Sequence, residues 1–452
     1  MSTHRPTPRA RPRACLTRGA RAMFGRAASG AALAGYLCLS AAVLPVLAPL
    51  VLRRRLARGK ELPDRWREKL GHASAPRPGG PLVWMHAVGL GEVLALRAVI
   101  AQLHARRPDV QVLITSTTRA SAEVLAANMP PRCRHQFLPL DTPGAARRFL
   151  DHWRPDLAIW AEQDLWPGLV WRTARRGIPL ALIGARMNAR AYRARSRAAP
   201  LYRGLFARFA LISAQDADTA AHLRRLGAGA VREDGSLKPA APPLNADADA
   251  LAALRAATRG RATWLVASSH EPDEALALEA HRARLADDAR ALLILAPRDP
   301  SRRGQIAQAC ADAGLRAELR STQPAPSGQA RVYVADTFGE LGLWYRLVDA
   351  AFIGGTTGEV EGHNPWEAAQ LGAAIVHGPR VANFAADYAA LHAAKAACQV
   401  ADAATLVAAL NAPGTADMAG RARDLAAHGM DRTGSLCDEL CRLVPQPQRT
   451  PT

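Results

Sequence analysis

The chain has 452 residues and a mass of 48.2 kDa, with 49% hydrophobic and 22% charged side chains. That is the composition of a globular protein of two or three domains, and it excludes a wholly disordered, collagen-like or multi-span membrane protein. Lys and Arg number 59 against 39 Asp and Glu, a formal charge of +20, but residues 1–72 alone hold 15 basic against 3 acidic groups, so the excess belongs to the N-terminus and argues against a nucleic-acid partner for the body of the protein.

Residues 1–26 read as a basic tail without fixed structure, and Met23 offers a second possible start. Residues 27–52, AASGAALAGYLCLSAAVLPVLAPLVL, carry no charge. The run is long enough to cross a bilayer core of about 30 Å, with Pro45 and Pro49 expected to kink it. A cleaved signal peptide is the alternative. However, Arg53-Arg54-Arg55 follows where small cleavage-site residues would stand, so an uncleaved membrane anchor is expected. The heavier basic cluster on the side of the soluble part places that part in the cytoplasm. Whether the anchor spans the membrane or lies in its interface stays open.

From residue 80 a short apolar run, a small-residue turn and an Ala/Leu/Arg helix recur. The runs are 81–88, 110–116, 156–162, 179–185 and 209–215; after the Pro-rich break at Lys238–Asn245 they resume at 263–269, 291–297, 332–337, 349–355 and 373–379. Nearly continuous apolar strands alternating with helices mean parallel sheets covered on both faces. The expected fold is α/β, with two doubly wound domains over 60–238 and 251–443, a linker at 239–250, and an unstructured tail at 444–452. Such sheets bind ligands at the carboxyl ends of their strands, so two facing domains would make a cleft.

Candidate chemistry falls at those strand ends. His86-Ala-Val-Gly-Leu-Gly-Glu92 follows the first run, and Glu92 would sit in the first turn of the next helix, where a carboxylate is stabilised and can take a proton from a hydroxyl. A Glu that merely complements the helix end is the plainer reading. Glu162 and Asp164 close the third run; both could face the cleft, or Asp164 could cap the next helix with Trp166 as packing. Asn188 and Arg190 follow the fourth run, and Arg190, Arg193 and Arg195 suit either phosphate binding or a solvated helix face. Lys238 lies at the hinge and is one of only four lysines; it is a point cation for a phosphate or carboxylate, or a surface lysine. In the second half, Ser268–Glu271, Pro297-Arg298-Asp299, Asp336–Glu340, Gly354–Gly358 and Gly362–Glu367 follow successive strands. Glycines there let a backbone approach a ligand, Pro365 near a helix start leaves N–H groups for a phosphate, and Glu367 can accept from a ribose.

No phosphate loop, HExxH or GxSxG motif occurs. The D-x-D pairs Asp216/Asp218 and Asp247/Asp249 read as helix starts or linker, so a metal-independent reaction without a cofactor is expected. Seven scattered cysteines make neither a zinc site nor a disulfide framework.

In this order, the segments HAVGLGEV, AEQDLWPGL, MNAR, GSLK, SSHEPDE, APRDP, DTFGEL, FIGG and GHNPWEAA resemble the 3-deoxy-D-manno-octulosonic acid (Kdo) transferases, from about Arg65 to Phe384. The resemblance implies two Rossmann-like domains in the GT-B arrangement and an enzyme at the cytoplasmic face of the bacterial inner membrane. It implies transfer of Kdo from CMP-Kdo to a lipid A precursor in lipopolysaccharide biosynthesis, with inversion and without a catalytic metal. Glu92 stands at the general-base position, and Glu162 and Lys238 at positions that support the transition state. Pro297, Arg298, Phe338, Gly339, Glu340, Asn364, Pro365, Trp366 and Glu367 match the CMP-binding segments. Three residues depart from the pattern: Asp299 where His is usual, Glu361 where Gly is usual, and Gly89 where Ser is common. They leave room for another nucleotide-sugar donor. A catalytically inactive, membrane-associated lipid-binding homologue is the other alternative.

Overall fold

The computed structural model describes residues 18–446 apart from Gly89, Asn128 and Gln163; the side chains of 18–28, 90–94, Ala120, Val124 and Ala127 are not described. The tail segments 1–17 and 447–452 therefore lie outside the described residues. By internal contacts the chain forms two units. Of the described residues, 18–90, Asp109–Glu233 and 443–446 make the first; Gly91–Pro108 and Asp234–Arg442 make the second.

The first unit holds β1 (Leu82–His86), β2 (Gln111–Ser116), β3 (Cys133–Phe137), β4 (Leu157–Ala161), β5 (Leu180–Ala185), β6 (Leu211–Ala214) and β7 (Arg232–Glu233), in the sheet order β3-β2-β1-β4-β5-β6-β7. Every pairing is parallel; Met85 stands opposite Ile114 on one side and Ile159 on the other. The strands are apolar because helices cover both faces. The core centres on Trp84, whose ring lies 4.8 Å from Phe149 and 4.7 Å from Trp160. Its buried N–H is satisfied by Thr115 Oγ1 at 2.9 Å.

The second unit repeats the plan with β8 (Thr263–Ser269), β9 (Leu292–Pro297), β10 (Ala317–Leu319), β11 (Val332–Val334), β12 (Ala350–Ile353), β13 (Ala374–His377) and β14 (Ala397–Gln399), ordered β10-β11-β9-β8-β12-β13-β14 and again parallel. The strand order turns back between β1 and β4 in one sheet and between β8 and β12 in the other. Those are the two switch points where such sheets open a crevice. All ten strands expected from sequence are present. The four that were missed, β3, β7, β10 and β14, are the four edge strands. An edge has one neighbour and half the cover, so its sequence need not be apolar.

The N-terminal helix runs from Arg18 to Ala57, through Pro45 and Pro49. It thus begins inside the segment expected to be an unstructured tail, and neither proline ends it. A stripe at three- and four-residue spacing, including Leu33, Ser40, Ala48 and Leu52, is buried, which is the spacing that puts residues on one helix face. Leu33 joins the same core cluster as Leu169, Leu205 and Phe206. The opposite side is bare hydrocarbon: Leu39, Val46 and Leu50 are each more than half exposed. By length and composition this helix could cross a membrane.

Candidate functional site

In the first unit, the β1 and β4 ends meet across the switch point. His86 closes β1, is wholly buried, and places Nε2 3.1 Å from Asp164 Oδ2 while Nδ1 faces the Thr115 carbonyl at 3.1 Å. The Trp166 indole donates to the same Asp164 oxygen at 2.8 Å. Burial works against ionisation of Asp164, but the bonds from His86 and Trp166 outweigh it and hold the carboxyl below its usual range. Asp164 is therefore no helix cap, contrary to one sequence expectation. It orients His86 at the end of β1, ahead of the helix Leu90–Arg106.

Glu162 follows β4 in a left-handed conformation, φ 59°, with its N–H bonded to the Ile183 carbonyl at 3.0 Å. A non-glycine residue held there stores strain, as functional positions often do. Glu162, Arg186 and Arg195 line one small cavity at the β4 and β5 ends. Asn188 caps the helix Ala189–Ser196, accepting from Ala191 N. Asp216 and Asp247 likewise cap helices Ala217–Arg225 and Ala248–Ala257, so both D-x-D pairs serve local structure.

Glu92 is the third residue of the helix Leu90–Arg106; its side chain, like Gly89, lies outside the described residues. That helix is fastened within the second unit by Arg106, whose Nε is 2.5 Å from Asp438 Oδ1 on the helix Thr415–Leu443.

In the second unit, one buried acid organises the strand ends. Asp273 accepts from the N–H groups of His270 (2.9 Å) and Gly355 (2.7 Å) and from the Thr357 hydroxyl at 2.5 Å. It thereby ties the turn after β8 to the turn after β12. Beside it Glu274 receives both guanidinium nitrogens of Arg302 at 2.8 Å and the Ser269 hydroxyl at 3.0 Å, fixing the segment after β9. Both acids belong to the SSHEPDE segment, but no role was expected of either; the signal for one was Asp273 standing three residues after a helix-capping position. Gly354 is there because a Cβ would meet Ser268 O at 2.5 Å. At Gly354 the backbone is therefore packed against protein.

The residues expected to bind CMP lie at the end of β9 and on the segments that follow β11 and β12. Pro297 ends β9, and Arg298 is exposed with its N–H on Ser269 O. His270 and His363 stack with Nε2 atoms 2.9 Å apart; burial first, then the charges of His270 and Arg298, push His363 down to about 4, so one ring donates and the other accepts. Asn364 holds Glu367 Oε1 at 3.3 Å, and burial raises the Glu367 carboxyl above its usual range. Pro365 opens a helix of only six residues, Trp366–Leu371. Trp366 is buried, its indole on Asp387 at 2.8 Å. Phe338 is 80% exposed, Gly339 has φ 83°, and Glu340 is paired to Arg320 at 2.8 Å. That pairing first of all holds the Glu340 carboxyl down.

Lys238 belongs to the second unit. Its ammonium is 3.2 Å from Asp387 Oδ2 and 4.3 Å from the centre of the Phe384 ring. Its charge is held by a buried acid and an aromatic face, unlike that of a loose surface lysine.

Residues 64–241 match the family model described as 3-deoxy-D-manno-octulosonic-acid transferase (kdotransferase). A probable mitochondrial 3-deoxy-D-manno-octulosonic acid transferase of Arabidopsis thaliana is 34% identical over 77% of this chain and 80% of its own length. The chain belongs to the 3-deoxy-D-manno-octulosonic acid transferase family. The family's Haemophilus influenzae transferase is 30% identical over 71% of this chain and 77% of its own. In fold, the chain is similar to the crystal structure of MurG from Acinetobacter baumannii, with TM-score 0.51 and 14% identity over 80% of this chain and 100% of that one. This Kdo transferase family member is thus a glycosyltransferase of GT-B class, and its family motifs sit on the strand-end turns of both sheets.

Proposed function

We propose that the protein transfers Kdo from CMP-Kdo to a hydroxyl of a lipid A precursor at the bacterial inner membrane. The observation that carries this reading is the 34% identity to a Kdo transferase over 77% of the chain, with the matching segments gathered at the carboxyl ends of two parallel sheets.

In this mechanism Glu92 removes the proton from the acceptor hydroxyl as that oxygen attacks the anomeric carbon, and CMP leaves from the opposite face with inversion. Glu162 and the His86–Asp164 pair shape the acceptor side. The donor carries a carboxylate and a phosphodiester, so Arg298 and Lys238 supply positive charge that grows in worth as CMP departs. The raised carboxyl of Glu367, with Asn364 beside it, suits a partner that donates and accepts, such as a ribose. No step requires a metal. The N-terminal helix lies along its unit with an apolar side outward, which favours a helix embedded in the membrane surface on the cytoplasmic side; its flanking arginines suit anionic headgroups.

The test is incubation of purified full-length protein with CMP-Kdo and tetra-acylated lipid A precursor, followed by mass spectrometry of the lipid. A mass gain of Kdo supports the reading, and Glu92→Ala is expected to lower the rate roughly 10²–10⁴-fold. Loss of less than a few-fold would remove Glu92 from the base role. A second reading, another nucleotide-sugar donor, draws on Asp299. This carboxylate stands beside Arg298 and accepts from Ser301 N at 3.0 Å. Turnover of a UDP-sugar without CMP-Kdo turnover would favour it.

A further inference from the structure

The N-terminal helix is bonded, not merely packed, to the loops of the first unit. Tyr36, halfway along its apolar run, donates its hydroxyl to Asp141 Oδ2 at 2.7 Å. Asp141 is 2% exposed, and the same oxygen accepts the Gly168 N–H at 2.8 Å. Gly168 is the second residue of the helix Pro167–Arg175, whose own N-cap, Trp166, makes no side-chain cap bond. A helix start needs acceptors for its free N–H groups, and here a remote aspartate provides one. Only glycine fits: a Cβ at 168 would lie 2.5 Å from Asp141 Oδ1. The residue before Pro167 is Trp166, which bonds Asp164, which bonds His86. The chain of contacts from Tyr36 therefore ends at the β1 terminus, four residues before the helix Leu90–Arg106 that carries Glu92.

A second tie repeats the logic at the far end of the helix. Arg55 Nε is 2.5 Å from Glu61 Oε1, Glu61 is 2.5 Å from Lys69 Nζ, and Lys69 donates to the Thr117 carbonyl just past β2 at 3.2 Å. Glu61 is 1% exposed. Both ties lead from one apolar helix to strand-end loops of one sheet.

We propose that Tyr36 and Asp141 are positioning residues for the transfer reaction: through them the apolar helix sets the Asp164–Gly168 segment, so that the helix is a working part of the acceptor site as well as an attachment. This rests on the Kdo-transfer reading for its activity arm. The experiment uses full-length protein in vesicles containing anionic phospholipid, comparing wild type with Tyr36→Phe, Asp141→Ala and Asp141→Asn. Two quantities are measured: hydrogen exchange of the Gly168 and Leu169 amides, which needs no activity, and steady-state kinetics with CMP-Kdo and the lipid A precursor. Loss of one hydrogen bond in Tyr36→Phe is expected to speed that exchange and lower kcat, each roughly 3- to 10-fold, with the KM for CMP-Kdo and vesicle sedimentation unchanged. Asp141→Ala falls further, and Asp141→Asn, which keeps an acceptor oxygen, recovers part of the loss. Unchanged exchange in Tyr36→Phe overturns the proposal whatever the activity does. So does faster exchange with unchanged kcat, or a kcat loss that only tracks lost vesicle binding. A wild type that transfers no Kdo sinks the functional reading instead, and the exchange result still judges the latch.

Discussion

Glu361 occupies φ 65°, a conformation that glycine reaches freely and other residues reach at a cost of about 1 kcal/mol or more. That explains why glycine is usual there, and the structure shows the offset: the Glu361 carboxylate lies 2.5 Å from Arg380, and its carbonyl accepts the Asn383 N–H at 2.9 Å. Glu361→Gly should therefore leave stability within roughly 1 kcal/mol of wild type, since relieved strain and a lost surface ion pair nearly cancel. Glu361→Val keeps the strain and loses the pair, so it should cost about 2 kcal/mol by denaturant titration. Lys238 gives the opposite case. Asp387 is 3% exposed, and Lys238→Met leaves it with the Trp366 indole alone, so a loss of about 2–4 kcal/mol is expected. Adding Asp387→Asn should restore part of it; strict additivity of the two changes would show that the pair is not coupled.

At the scale of elements, the turns after β8 and β12 are held so closely that glycine is a packing requirement. Gly354→Ala would force β12 away from the Ser268 carbonyl, and a loss of about 2–4 kcal/mol with weaker CMP binding is expected. Unchanged calorimetric melting would refute this account of the turn. The ten inner strands could be read from sequence because each is largely buried and mostly apolar. Cys133-Arg-His-Gln-Phe137 could not, because an edge strand carries no such pattern. The family motifs located the site's segments. They did not disclose the role of Asp273, since its bond to Gly355 spans 82 positions, nor that of Asp141, whose bond to Gly168 spans 27. Long-range polar contacts leave no periodic trace in a sequence, whereas a helix start was one of the two readings of the Asp216 and Asp247 pairs; the helix from Ala248 begins inside the expected linker 239–250.

For the whole molecule, burial is the first cause that keeps four imidazoles neutral: His135 is pushed down to about 3, and His281, His363 and His377 to about 4. Their unfolded counterparts take up protons near 6.5, so the unfolded chain binds more protons between those values. Stability is then full above pH 6.5 and is lost as pH falls toward 4, at up to about 1.4 kcal/mol per pH unit for each group. Melting temperatures that fall steeply from pH 7 to pH 5 are expected, and a flat profile would refute the burial argument. The docking of the N-terminal helix bears on how the protein can be handled. A shortened form starting near Arg58 would uncover the trough that receives Leu33 and strand Asp141 without its phenol. Such a form should precipitate or need detergent even with its hydrocarbon segment removed, so a water-soluble version calls for polar replacements at Leu39, Val46 and Leu50 with Tyr36 kept.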